Sequence, residues 1–77
     1  MTTLELTLAK NIRKKRKERG LTGLELSALL GCVKSNITNW ETARNMPTVW
    51  YLCLLADEFE CSVDELLGRT TPNSKED

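Results

Sequence analysis

The feature that most restricts what this chain can fold into is a helix-start signal that occurs three times. Thr2 precedes Glu5, Thr22 precedes Glu25 and Ser62 precedes Glu65, each by three residues. At this spacing the hydroxyl accepts from the amide three residues on, and the carboxylate reaches back to the cap amide, so two orphaned donors are satisfied together. Gly20, Gly31 and Gly68 follow at short helical distances, where a glycine in the left-handed conformation ends a helix. Strand signals are absent, with no alternating apolar run and no Asn-Gly or Asp-Gly pair. Such punctuation predicts an all-α chain.

Periodicity divides it into five helices. The first runs from a cap at Thr2 to about Arg19, with Leu8, Ile12 and Arg16 on one stripe. The second opens at Thr22 and runs through Leu30, with Leu26, Ser27 and Leu30 inward. The third spans about Lys34 to Trp40, with Ile37 and Trp40 inward, and Thr42 to Pro47 forms a loop. Thr48 caps a fourth helix to Phe59, whose core side is expected to hold Val49, Leu52, Leu55, Ala56 and Phe59. Ser62 opens the last, which holds Val63, Leu66 and Leu67. Residues 1–68 are expected to form one domain, and the polar tail 69–77 to be disordered.

Composition removes several function classes. The 77 residues include no histidine, the most frequent general base and metal ligand. The three cysteines, Cys32, Cys53 and Cys61, form no Cys-x-x-Cys pair and read as small buried apolar side chains. Neither an enzyme, a metal centre, a cofactor nor a small-molecule ligand is expected. No apolar run approaches the roughly 18 residues of a membrane span, and Met1 to Lys10 lacks the pattern of a signal peptide. A cytoplasmic protein is the expectation.

The formal net charge of zero hides an asymmetry. Lys10, Arg13, Lys14, Lys15, Arg16, Lys17 and Arg19 crowd the first helix against only Glu5 and Glu18. Residues 48–77 carry Asp57, Glu58, Glu60, Asp64, Glu65, Glu76 and Asp77 against Arg69 and Lys75. One end can face a polyanion while the other faces solvent or a subunit; the plainer reading is a solvated basic helix beside an acidic tail. Arg16 lies on the apolar stripe and needs a partner there, for which Glu41, next to Trp40, is the best candidate. The alternative is that Arg16 extends its long stem to the surface.

Helices two and three are separated by Gly31, Cys32 and Val33, the short glycine-containing joint of a helix-turn-helix. The joint sits within a longer pattern: Gly20-Leu21-Thr22, Glu25-Leu26, Leu30-Gly31, Ile37, Trp40-Glu41, Pro47 and Ser62-Val63-Asp64-Glu65-Leu66-Leu67. With Ile12-Arg13 and Arg16-Lys17-Glu18 ahead of it, this run over residues 8–68 resembles the Cro/phage-repressor type of helix-turn-helix regulator, the XRE family. The resemblance implies a five-helix lambda-repressor-like DNA-binding domain and a structural Arg16–Glu41 pair. It also implies a third helix in the major groove of double-stranded DNA. Lys34, Ser35, Asn36, Thr38 and Asn39 would then meet base edges, and Thr22, Gly23, Arg44 and Asn45 the phosphates.

The sequence departs from that family at three places. Gly23 replaces a phosphate-contacting Gln. Val33 replaces a capping Ser or Thr, unless Ser35 caps a later start. Ala43 stands where the loop often has Gly, unless Asn45 takes the left-handed position. Trp50 and Leu54, four residues apart outside the core stripe of helix four, are expected to be exposed as a homodimer interface; the alternative is that Leu4 and Leu6 fold over them. The implied function is a sequence-specific transcriptional regulator, a repressor that binds a palindromic operator as a dimer. The rival is an interaction module of the same fold, antitoxin-like or anti-repressor, that has lost DNA binding.

Overall fold

The computed structural model describes residues 2–69 and contains α1 (Thr3–Glu18), α2 (Gly23–Leu30), α3 (Lys34–Glu41), α4 (Val49–Phe59) and α5 (Val63–Leu67). Beyond Arg69, the tail expected to be disordered lies outside the described residues. No strand occurs among those described, and none of their helices is long and apolar enough to cross a membrane.

The helix starts follow the side-chain chemistry of their caps. Thr2 and Thr22 close both halves of the box: Thr22 N donates to Glu25 Oε1 at 2.8 Å and Glu25 N to Thr22 Oγ1 at 3.1 Å. The third box is only half formed. Ser62 Oγ accepts from Glu65 N at 2.9 Å, but the Glu65 carboxylate is taken by Lys15 Nζ at 2.8 Å. A tertiary ion pair here displaces a local bond.

All five helices end alike. The residue past the last turn is left-handed: Gly20, Gly31, Ala43, Glu60 and Gly68. The next amide reaches back five residues, as from Arg44 N to Asn39 O at 2.9 Å and from Cys61 N to Ala56 O at 3.0 Å. These paired bonds satisfy carbonyls that a helix end would otherwise orphan. Ala43, not Asn45, takes the left-handed position after α3, with φ 61°. A non-glycine residue there costs about 1–2 kcal/mol.

One core draws on every helix: Leu8 and Ile12, Leu26 and Leu30, Ile37 and Trp40, Leu55, Ala56 and Phe59, and Leu66. Ser27 is buried with them, its hydroxyl donating to Leu24 O at 2.7 Å. Helix α4 is rotated from the expected arc. Val49, expected inward, is 76% exposed, while Tyr51 packs against Trp40 with ring centroids 5.4 Å apart. Leu54, expected to be exposed beside Trp50, is half-buried against the core. The tilted Trp40–Tyr51 contact draws the buried side of α4 toward Tyr51 and Leu54 and away from Val49. Nor are all three cysteines buried: Cys32 and Cys61 are half-buried, and Cys53 is exposed.

Helix α5 is fastened along α1. Asn11 Nδ2 donates to Leu66 O at 2.9 Å, closing a carbonyl at the α5 terminus. A Cβ on Gly68 would stand 2.7 Å from Thr7 Cγ2, so this glycine permits both the left-handed turn and the close approach of the two helices.

Candidate nucleic-acid interface

The turn between α2 and α3 is built by three residues with separate tasks. Gly31 is left-handed at φ 74°, and Cys32 N then donates to Ser27 O at 2.9 Å. Val33 is extended (φ −92°, ψ 154°) and is the N-cap of α3, with no side-chain cap bond. Helix α3 therefore starts at Lys34, and Ser35 lies inside it rather than capping it. Loss of a hydroxyl cap costs about 1 kcal/mol. Burial of Ile37 and Trp40 fixes the register of this short helix instead.

That register turns Lys34, Ser35 and Thr38 to solvent and leaves Asn36 and Asn39 half-buried. Burial pushes the nearby Cys32 thiol up. The five candidate base-reading residues thus share one helix, with Lys34, Ser35 and Thr38 exposed and Asn36 and Asn39 half-buried at the margins of that face.

The orientation of α3 is set from α1. Arg16 Nε donates to Glu41 Oε2 at 2.7 Å and Nη2 donates to Oε1 at 3.0 Å, a two-pronged fork. Its Nη1 donates to Leu21 O at 2.8 Å, in the segment that leads into α2. The two side chains are 14% and 10% exposed, so Arg16 does not extend to the surface. The hydrogen bonds to Glu41 hold the guanidinium further into its charged form. One side chain therefore ties the end of α3 and the approach to α2 to the same helix.

At the start of α2 the capping box consumes the Thr22 and Glu25 amides. The Gly23 and Leu24 amides of the first turn have no intrahelical acceptor and are available to an anion. Lys34 lies against this end: a Gly23 Cβ would stand 3.8 Å from Lys34 Cε and 3.9 Å from Lys34 Cγ. The small residue makes room for the lysine stem. On the opposite flank Arg44 and Asn45 are exposed in the loop after α3.

The basic residues of α1 divide into two groups. Lys15 bonds Glu65, Arg16 bonds Glu41, and Arg19 approaches Glu60 at 3.6 Å. Lys10, Arg13, Lys14 and Lys17 are exposed and have no ion pair among the described residues. Charge asymmetry in the sequence hinted at the Lys15–Glu65 and Arg19–Glu60 contacts but could not pair them. The Asn11 cap and the bond from Arg16 to Leu21 O left no sequence signal at all, since each depends on how two helices cross.

A helix-turn-helix family model matches residues 12–66, from the core of α1 into α5. The chain belongs to the helix-turn-helix family. Among solved structures, this helix-turn-helix protein is similar to the P22 c2 repressor, crystallised with a synthetic operator in the presence of Tl+. The TM-score is 0.77 at 27% identity, over 82% of this chain and 96% of that one. No curated protein sequence matches significantly. The family and the structural likeness together make the fold that of a phage-repressor-type, XRE-family DNA-binding regulator, which is not an enzyme family.

Proposed function

We propose that this helix-turn-helix protein is a sequence-specific transcriptional repressor that inserts α3 into the major groove of a palindromic operator as a homodimer. The observation that carries the reading is the exposed hydrogen-bonding face of Lys34, Ser35 and Thr38, fixed in orientation by the Arg16–Glu41 fork. Asn36 and Asn39 adjoin that face, and an Asn amide matches adenine N6 and N7. Ser35 and Thr38 suit a base edge, a thymine methyl or a phosphate. In the rotamer across Gly23, Lys34 serves a phosphate beside the Gly23 and Leu24 amides; rotated outward, it reaches guanine O6 and N7. Thr22, Gly23, Arg44 and Asn45 flank the reading face on both sides, where backbone phosphates run. The unpaired cations of α1 add attraction at longer range.

The dimer rests on Trp50, 73% exposed at the start of α4. Leu4 and Leu6 are themselves largely exposed and leave it uncovered. Leu54 adjoins from the edge of the core. A twofold pairing would carry two α3 helices to groove faces about 34–36 Å apart.

The deciding experiment is selection of duplexes from a random pool, followed by affinity measurement at about 50 and about 200 mM salt, the range in which phosphate contacts register. Enrichment of a palindrome, with affinity falling steeply with salt, is the expected result. Absence of any binding at the lower salt would overturn the proposal and favour the interaction module of the same fold.

A further inference from the structure

The outward face of α1 carries Lys10, Arg13, Lys14 and Lys17 at three- and four-residue steps, which places them on one side of the helix. All are exposed, and none has an ion pair among the described residues. Asn11 and Lys15, which bond α5, lie on another side of α1. No acidic residue interrupts the cationic stripe, which extends about 10 Å along the axis at about 1.5 Å per residue.

The far end of α4 has the opposite excess. Asp57 and Glu58 lie in its last turn, which holds no basic residue, and Glu60 is the cap that follows. Open carbonyls give a helix C-terminus negative character, so cations are favoured there and anions are not. Arg19 offsets this group only in part, approaching Glu60 at 3.6 Å while the Glu60 side chain stays 81% exposed. The acids of α5 differ, because Asp64 and Glu65 sit in a first turn, where negative charge is favoured. The carboxylates of α4 repel one another and their own helix end, and their compensation within one chain is incomplete.

We infer that the α1 stripe of one copy docks on the Asp57, Glu58 and Glu60 carboxylates of a second copy. Charge complementarity commits the stripe to this occupant: each chain carries both surfaces, and each surface holds the charge that the other lacks. Because two different surfaces meet, the contact is head-to-tail and repeats from copy to copy instead of closing. It uses neither α3 nor Trp50, and so stands apart from the DNA-binding and twofold-dimer readings above. Exposed ion pairs contribute little singly and are screened by salt, which makes the association weak and governed by ionic strength.

Sedimentation of the full chain without DNA tests the contact. At about 10 mM salt, where charges act over about 30 Å, the mean mass should rise with concentration to at least about two-fold that at about 1 M salt, where the range is about 3 Å. K10E/K14E and D57K/E60K should each keep the high-salt mass at about 10 mM salt, with the helicity of the natural protein by circular dichroism. Mixed in equal amounts, the two variants should associate again, since each supplies the charge that the other has reversed. K34E/R44E, with the net charge of K10E/K14E but both surfaces intact, should associate like the natural protein. Equal mass of the natural protein at both salt concentrations overturns the inference, as does a mixture that stays apart. Equal loss of association in K34E/R44E assigns the effect to net charge and overturns it too. Loss of duplex affinity in K10E/K14E, with no self-association of the natural protein, gives the stripe to DNA instead; absence of DNA binding leaves the inference standing.

Discussion

Arg16 and Glu41, 25 residues apart, meet through two parallel hydrogen bonds of 2.7 and 3.0 Å, with the third prong of the guanidinium on Leu21 O. The fork does more than join two charges. It holds the last turn of α3 and the segment before α2 at fixed distances from α1. Removal of one partner leaves the other charge largely buried and uncompensated, which costs about 3–5 kcal/mol. A domain of this size has a net stability of only about 3–5 kcal/mol. Glu41→Ala is therefore expected to leave the protein largely unfolded at room temperature by circular dichroism. Arg16→Met with Glu41→Leu should recover most of the helicity, because an apolar pair carries no such desolvation penalty.

Ala43→Gly is expected to stabilise the protein. Ala43 sits at φ 61° in the turn that closes α3, where glycine bears no penalty. The gain should be about 1 kcal/mol, seen in thermal unfolding as a rise of about 4–8 °C. An unchanged midpoint would mean that the left-handed turn is not under strain.

The start of α1 should depend on acid. Its hydrogen bonds to Thr2, the backbone bond above all, hold the Glu5 carboxyl below the ordinary carboxylate value. A group depressed in this way adds stability above its unfolded value, and that contribution is lost as pH falls through the lower folded value. Amide exchange at Glu5 and Leu6 is therefore expected to become less protected, relative to the core amides, as pH falls from about 5 to about 3. In Glu5→Gln this local dependence should disappear, while the α2 amides behave as before.

Sedimentation of Trp50→Glu addresses the proposed dimer. Trp50 is 73% exposed and lies outside the buried core, so the substitution should leave the fold and its melting intact. The mass is expected to fall from two chains to one, with operator affinity lowered in step. A dimer that persists would assign the interface to another surface.

Much of the fold was legible because its signals are local. Thr22, Glu25 and Gly31 delimit α2 by chemistry confined to a few neighbouring residues, and Ile37 with Trp40 sets which side of α3 is free. The Arg16–Glu41 pair was legible for a different reason: a cation on an apolar stripe requires an anion in an equally inward place. Helix α4 was less readable because nearly every position in it is apolar. With Val49, Trp50, Tyr51, Leu52, Leu54 and Leu55 in one run, periodicity alone cannot distinguish the buried arc from its edges. The contact between Trp40 and Tyr51 resolved it.

By itself the sequence determined where helices start and stop, which side of α3 turns to the core, and the family to which the chain belongs. These depend on backbone propensity, capping bonds and periodicity, all of which act within a few residues. Only the tertiary structure decided that Glu65 leaves its own cap for Lys15, that Asn11 closes α5, and that Gly68 lies against Thr7. It also decided that Lys34 crosses Gly23 and that Val33 is exposed. Each of these depends on how one helix axis lies against another, and that geometry is set by the packing of the whole core.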